Sequence, residues 1–162
     1  MKRSTDVKRS TDVKRSTDVK RSTQRRRRAN GTRKHTAKPS VTHLDQKIVL
    51  MFLQMLNTVK LYHWKTSSYA QHKATDELYG ELNTNIDAFV ETMLGYSGGR
   101  VNLTGYKSIP LMDYNNVNDF SREVARYKDF LIHLDIEGTD LLNIRDEILG
   151  SLNKFSYLLT FK

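Results

Sequence analysis

No cysteine occurs anywhere in the 162 residues. Disulfides are thereby excluded, so a domain of this length must be held by packing alone, and a reducing compartment suits it. Long apolar runs are missing as well. The longest, Ile48 to Leu53, falls far short of the roughly 20 residues that a membrane-spanning helix needs. The N-terminus carries charge with no apolar stretch behind it, unlike a signal peptide. Strand-like alternation of useful length is absent, which predicts an all-α chain. Neither His-Glu-x-x-His nor Glu-x-x-His occurs, which argues against a zinc protease and against a di-iron centre built inside one bundle. These absences predict a soluble, cytoplasmic protein without membrane association.

Charge of one sign is present in excess, but only in part of the chain. Residues 1–40 hold fifteen Lys or Arg against three Asp, a net of +12, while residues 41–162 hold twelve against fifteen acids, a net of −3. Residues 2–19 are three copies of Lys-Arg-Ser-Thr-Asp-Val, Lys20 to Thr23 begin a fourth, and Arg25 to Arg28 follow Gln24. A six-residue period with one Val per repeat is neither helical nor heptad. Such a segment buries too little apolar surface to offset its ordering entropy, which predicts a disordered arm over 1–40 and a globular domain over 41–162. A polycation of this kind neutralises phosphates and releases counterions, binding double-stranded DNA without base specificity. The groups that would do so are Lys2, Arg3, Lys8, Arg9, Lys14, Arg15, Lys20, Arg21, Arg25, Arg26, Arg27, Arg28, Arg33, Lys34 and Lys38. An import signal, a solubility tail and contact with acidic lipid are the rival uses of such a run. Ser and Thr after each Lys-Arg pair are phosphorylation candidates, and phosphate there would reverse the arm's charge.

Four helical segments are legible in the domain. The first spans about 43–65, with Leu44, Ile48, Phe52, Met55, Leu56, Val59 and Tyr62 at three- and four-residue steps. The second begins near Ser68, where Ser68-x-x-Gln71 reads as a capping box, and Gly95 is its expected stop. A connection over 96–116 follows. The third helix spans about 117–135, ended by Gly138, and the fourth about 140–160. Two helical hairpins joined by a long crossover make a ferritin-like four-helix bundle.

The second helix carries the chemistry. His72 and Asp76 lie four apart, as do Asp87 and Glu91, and all four fall within a stripe roughly 100° wide. Imidazole and carboxylate are the usual ligand mix for iron, zinc or manganese, although a solvated face reads the same way. His72 and Asp87 are separated by roughly 22 Å of helix, too far for one ion. If all serve one site, the acids come from a second copy of the chain packed antiparallel about a two-fold axis.

Lys60-Leu-Tyr-His63-Trp64, followed by His72, Asp76, Asp87 and Glu91, resembles the ferroxidase signature of the Dps family, DNA-binding ferritin-like proteins of starved cells. Weaker resemblance continues through Asp113 to Val117, Thr139 to Leu142 and Leu152 to Phe155. His63 and His72 stand nine apart, closer than family members usually have them. The resemblance implies that His63, His72, Asp76, Asp87 and Glu91 are both metal-binding and catalytic. Trp64 would sit beside the site. Fe(II) would be oxidised by peroxide or dioxygen and stored as ferric mineral. It also implies a homo-oligomer of twelve subunits and a short helix in the crossover, with Ile109, Leu111 and Met112 as its apolar face. The setting would be a cellular nucleoid or the core of a DNA virus. A DNA-condensing packaging protein with an inactive metal site, and an adaptor using neither iron nor DNA, are the competing readings.

Overall fold

A computed structural model describes residues 43–161; the arm, and the boundary at 40/41, lie outside them. The described residues form four α-helices and no strand: α1 (His43–Lys65), α2 (Tyr69–Ser97), α3 (Val117–Ile132) and α4 (Thr139–Leu158). None is long and apolar enough to cross a membrane.

The apolar periodicity explains the packing. Ile48, Phe52, Met55, Val59 and Tyr62 of α1 meet Leu78, Leu82, Ile86, Phe89 and Met93 of α2, with Phe120, Val124, Tyr127 and Leu131 of α3 and Ile148, Leu152 and Phe155 of α4 in the same core. Phe52 and Phe89 pack edge to face, and Tyr62 stacks on Phe120 at 4.0 Å. Leu44, expected in this core, is exposed in the first turn of α1.

Side-chain contacts fix the directions of the helices. Lys154 near the end of α4 reaches Glu77 near the start of α2, and Tyr96 at the end of α2 donates to Asp140 at the start of α4, so these two run antiparallel. Tyr62 of α1 meets Phe120 of α3, and Arg126 reaches back to Gln54, so α1 and α3 are antiparallel as well. The connection over 98–116 must therefore return along the molecule. Gln46 holds its beginning by the Asn102 carbonyl at 2.8 Å, and Lys65 holds its end by Asp113 at 2.7 Å. Those anchors are about 28 Å apart along α1.

Several expected boundaries move. Ser68 does cap α2, its hydroxyl accepting from the Gln71 N–H at 3.4 Å, but the capping box is half made. The Gln71 side chain accepts instead from Tyr62 and Thr66. Gly95 does not end α2, because a glycine in open space tolerates helical backbone. The stop comes at Gly98, whose φ of 61° is the left-handed conformation that terminates a helix. α3 ends at Ile132 rather than near 135, its last turn closed by His133 donating to the Asp129 carbonyl. Gly138 instead starts α4 at a φ of 102°, where an added Cβ would lie 2.9 Å from Asp140 Oδ1 and 3.0 Å from Tyr96 Oη. The crossover contains no helix. Leu111 is exposed, and Ile109 and Met112 are half-buried in irregular chain.

Candidate metal centre

The link between α1 and α2 is only Thr66, Ser67 and Ser68, and this shortness brings His63 and His72 together. Their rings stack at 3.9 Å with 22° between planes. His63 Nδ1 lies 3.0 Å from the His72 carbonyl, and His72 Nδ1 lies 3.0 Å from the His63 carbonyl. A carbonyl can only accept, so both Nδ1 atoms must carry the proton. In the neutral rings each Nε2 is then left with its lone pair free, the tautomer that a metal ligand needs. Thr75, buried, reinforces the lock. Its hydroxyl stands 3.2 Å from His63 Nδ1 and donates to the Gln71 carbonyl at 2.7 Å.

Asp76 follows one turn after His72. Its Oδ1 is 3.9 Å from His63 Nε2, a gap that a cation with bonds of about 2 Å to each would bridge. Lys60, one turn before Trp64, competes for the same carboxylate at 4.0 Å. Its ammonium also lies over the rings of Tyr79 and Trp64, at 4.7 and 5.7 Å. Trp64 is 69% exposed, so it borders the corner as a surface group. Sequence reasoning missed Lys60 and Tyr79, though Lys60 lies three residues before His63, the spacing of neighbours on one helix face.

Asp87 and Glu91 are exposed farther along α2 and do not join this group. Among the described residues no three of the His and carboxylate side chains stand close enough together to hold an ion. One chain thus supplies two imidazoles and one carboxylate at one end of α2, and two further carboxylates along the same helix.

A second polar cluster, also unforeseen, lies between α3, α1 and the crossover. Glu123 is 5% exposed yet fully engaged. It accepts from Arg126 Nε at 3.0 Å and from Tyr114 Oη at 2.9 Å. Burial pushes its carboxyl up, but the hydrogen bonds of Arg126 and Tyr114 outweigh that and hold it below its ordinary value. Burial, then the bond to Glu123, pushes the Tyr114 hydroxyl up to about 12. Tyr127 is raised too, chiefly by burial, and donates to Thr58 at 2.8 Å. The sequence signal was present in Glu123 and Arg126, an i,i+3 pair beside the core position Tyr127.

Comparison with known proteins corrects the resemblance. The model of a family of unknown function, DUF5856, matches residues 63–159, more than half of the chain, and no match to the Dps family accompanies it. An uncharacterized 14.6 kDa protein from the mobD-ri intergenic region of Enterobacteria phage T4 is 45% identical over 51 residues. That match takes in 29% of this chain and 40% of the phage protein, so the chain spans about two fifths of its relative's length. No solved structure matches. The chain belongs to the DUF5856 family. The interval pattern from His63 to Glu91 is therefore a likeness of spacing, which any helix with period 3.6 reproduces readily.

Proposed function

We propose that this DUF5856 protein condenses DNA through its basic arm and binds Fe(II) as a substrate between two copies of its helical domain. One observation carries the metal half: both Nδ1 atoms of the histidine pair are committed to backbone carbonyls, leaving both Nε2 lone pairs free, that of His63 3.9 Å from Asp76. Ligating histidines are ordinarily oriented by such a bond. Asp87 and Glu91, unable to reach this corner within their own chain, would complete the site from a second copy. Two Fe(II) ions would each give one electron to a peroxide, which takes up two protons and leaves as two waters; dioxygen is the other oxidant class. The fold assignment that goes with this is ferritin-like. Antiparallel α1 and α2, a crossover running the length of α1, and antiparallel α3 and α4 support it. The assembly would be a homo-oligomer built from two-fold pairs, up to the dodecamer set out above. Many arms on one particle would bind DNA with high avidity.

The second reading is DNA condensation on the same bundle with no metal chemistry. The reciprocal carbonyl bonds favour it, because they also serve as a clasp that closes a three-residue link. The phage relative supports a viral core over a cytoplasmic nucleoid as the setting of either reading.

Anaerobic Fe(II) titration of the full chain, followed by peroxide and absorbance monitoring, tests this. Saturable binding and fast ferric formation are expected, both lost when Asp87 and Glu91 are changed to Ala, with DNA binding retained. Oxidation no faster than in buffer would leave the second reading.

A further inference from the structure

α2 presents a face that its own chain does not use. Tyr69, Lys73, Gly80, Asp87 and Glu91 fall within a stripe about 40° wide at 100° per residue, and all five are exposed. Among the described residues, the side chains of Lys73, Asp87 and Glu91 make no hydrogen bond or ion pair. Two acids and a lysine are thus left to solvent on one face of α2.

Gly80 sharpens the point. Glycine inside a helix is less favourable than alanine, and here a Cβ would meet nothing within 4 Å. No internal contact requires its bareness. It floors both of two adjoining depressions between α2 and α4. One, of about 670 Å³, is flanked by Thr84 and Gly150, and the other, of about 450 Å³, by Ala70 and Phe161. Together they form a shallow trench with its bare point at Gly80, where another helix can approach closely.

We propose that a second copy of the chain lays its α2 antiparallel on this face, with the two-fold axis passing at Gly80. The register follows from counting. Lys73 lies seven residues before Gly80 and Asp87 seven after, so the axis brings each Lys73 level with Asp87 of the second copy, about 10.5 Å from the centre. Tyr69 and Glu91 are likewise eleven before and eleven after. Each pair joins a donor to a carboxylate and occurs twice, the self-complementarity that an isologous interface requires. The same register sets His72 within one residue of the level of Asp87 of the second copy. The inference rests on the two-copy reading above but needs no metal.

Sedimentation velocity of the full chain in chelator tests it. The wild type is expected to be an even-numbered assembly. Lys73→Glu or Asp87→Lys alone should weaken association on the order of tenfold or more, by setting like charges face to face. The double exchange should restore it. Gly80→Leu should split the assembly while helical circular dichroism is kept or increased. A monomeric wild type, single reversals that leave the mass unchanged, or a folded double variant that stays split would each overturn the proposal. An assembled wild type that binds no Fe(II) once the chelator is removed would sink the metal reading alone. Fe(II) bound by the wild type at two equivalent sites per two copies, with mass indifferent to the reversals, would sink this interface alone.

Discussion

The histidine corner between α1 and α2 and the Glu123 cluster between α1 and α3 are both buried polar groups in a bundle of hydrophobic helices, yet they differ in what is left over. Glu123 is saturated. Its oxygens take Arg126 and Tyr114, and the neighbouring Tyr127 is satisfied by Thr58. The histidine pair uses one nitrogen of each ring for the backbone and keeps the other in reserve. A saturated cluster can specify how helices dock but has no valence for a ligand. A half-used one specifies docking and leaves two ring nitrogens open, and it lies where the chain is only 7% exposed at His63 but open at Asp76.

The sharpest way to break this comparison is to remove the hub of the saturated side. Glu123→Ala strands the Tyr114 hydroxyl and the half-exposed Arg126, and loss of hydrogen bonds to a charged group costs about 1.5–3 kcal/mol. Urea unfolding should show that loss, while Fe(II) binding per folded molecule stays unchanged. The cost should also depend on pH. The Glu123 carboxyl is lowered from an ordinary value of 4.5, so its contribution is complete above that pH. It disappears as pH falls through the lowered folded value. The gap between wild type and Glu123→Gln should thus be widest near neutrality and close in acid.

Next in size is His63→Ala. The His72 carbonyl and Thr75 lose their donor, at about 1–3 kcal/mol by the same unfolding measurement, and saturable Fe(II) binding should vanish entirely. Stability lost without any change in iron binding would make the corner as purely structural as the Glu123 cluster. Lys60→Met is the mildest variant. A loose pair at 4.0 Å contributes under about 1 kcal/mol. Freeing Asp76 from the ammonium should tighten Fe(II) binding by roughly threefold to tenfold, or 0.7–1.4 kcal/mol, and calorimetry would read it.

How far each region was legible in the sequence follows from the range of its interactions. α1 was readable from end to end because its apolar residues recur at helical steps and a Ser-led break follows it. The stop of α2 was misplaced by three residues because both Gly95 and Gly98 are available, and only backbone geometry distinguishes them. The end of α3 was extended because Leu134 is apolar and buried although it lies beyond the helix. Burial there comes from tertiary packing, which periodicity cannot separate from helix. The crossover helix came from the Dps likeness rather than from the local residues, and the crossover is irregular. At the site, the spacing of His72, Asp76, Asp87 and Glu91 along α2 was visible. The stacking of His63 on His72 was not, because it depends on how tightly Thr66, Ser67 and Ser68 turn.

That three-residue turn also has a bearing on the order of folding. A short link costs little closure entropy, and contacts between neighbouring helices form faster than those requiring the crossover to return. α1 and α2 should therefore close as a hairpin before α3 and α4 dock, with the histidine pair already formed in it. In the chain emerging from a ribosome, the histidine corner would be complete while the second half of the bundle is still being made.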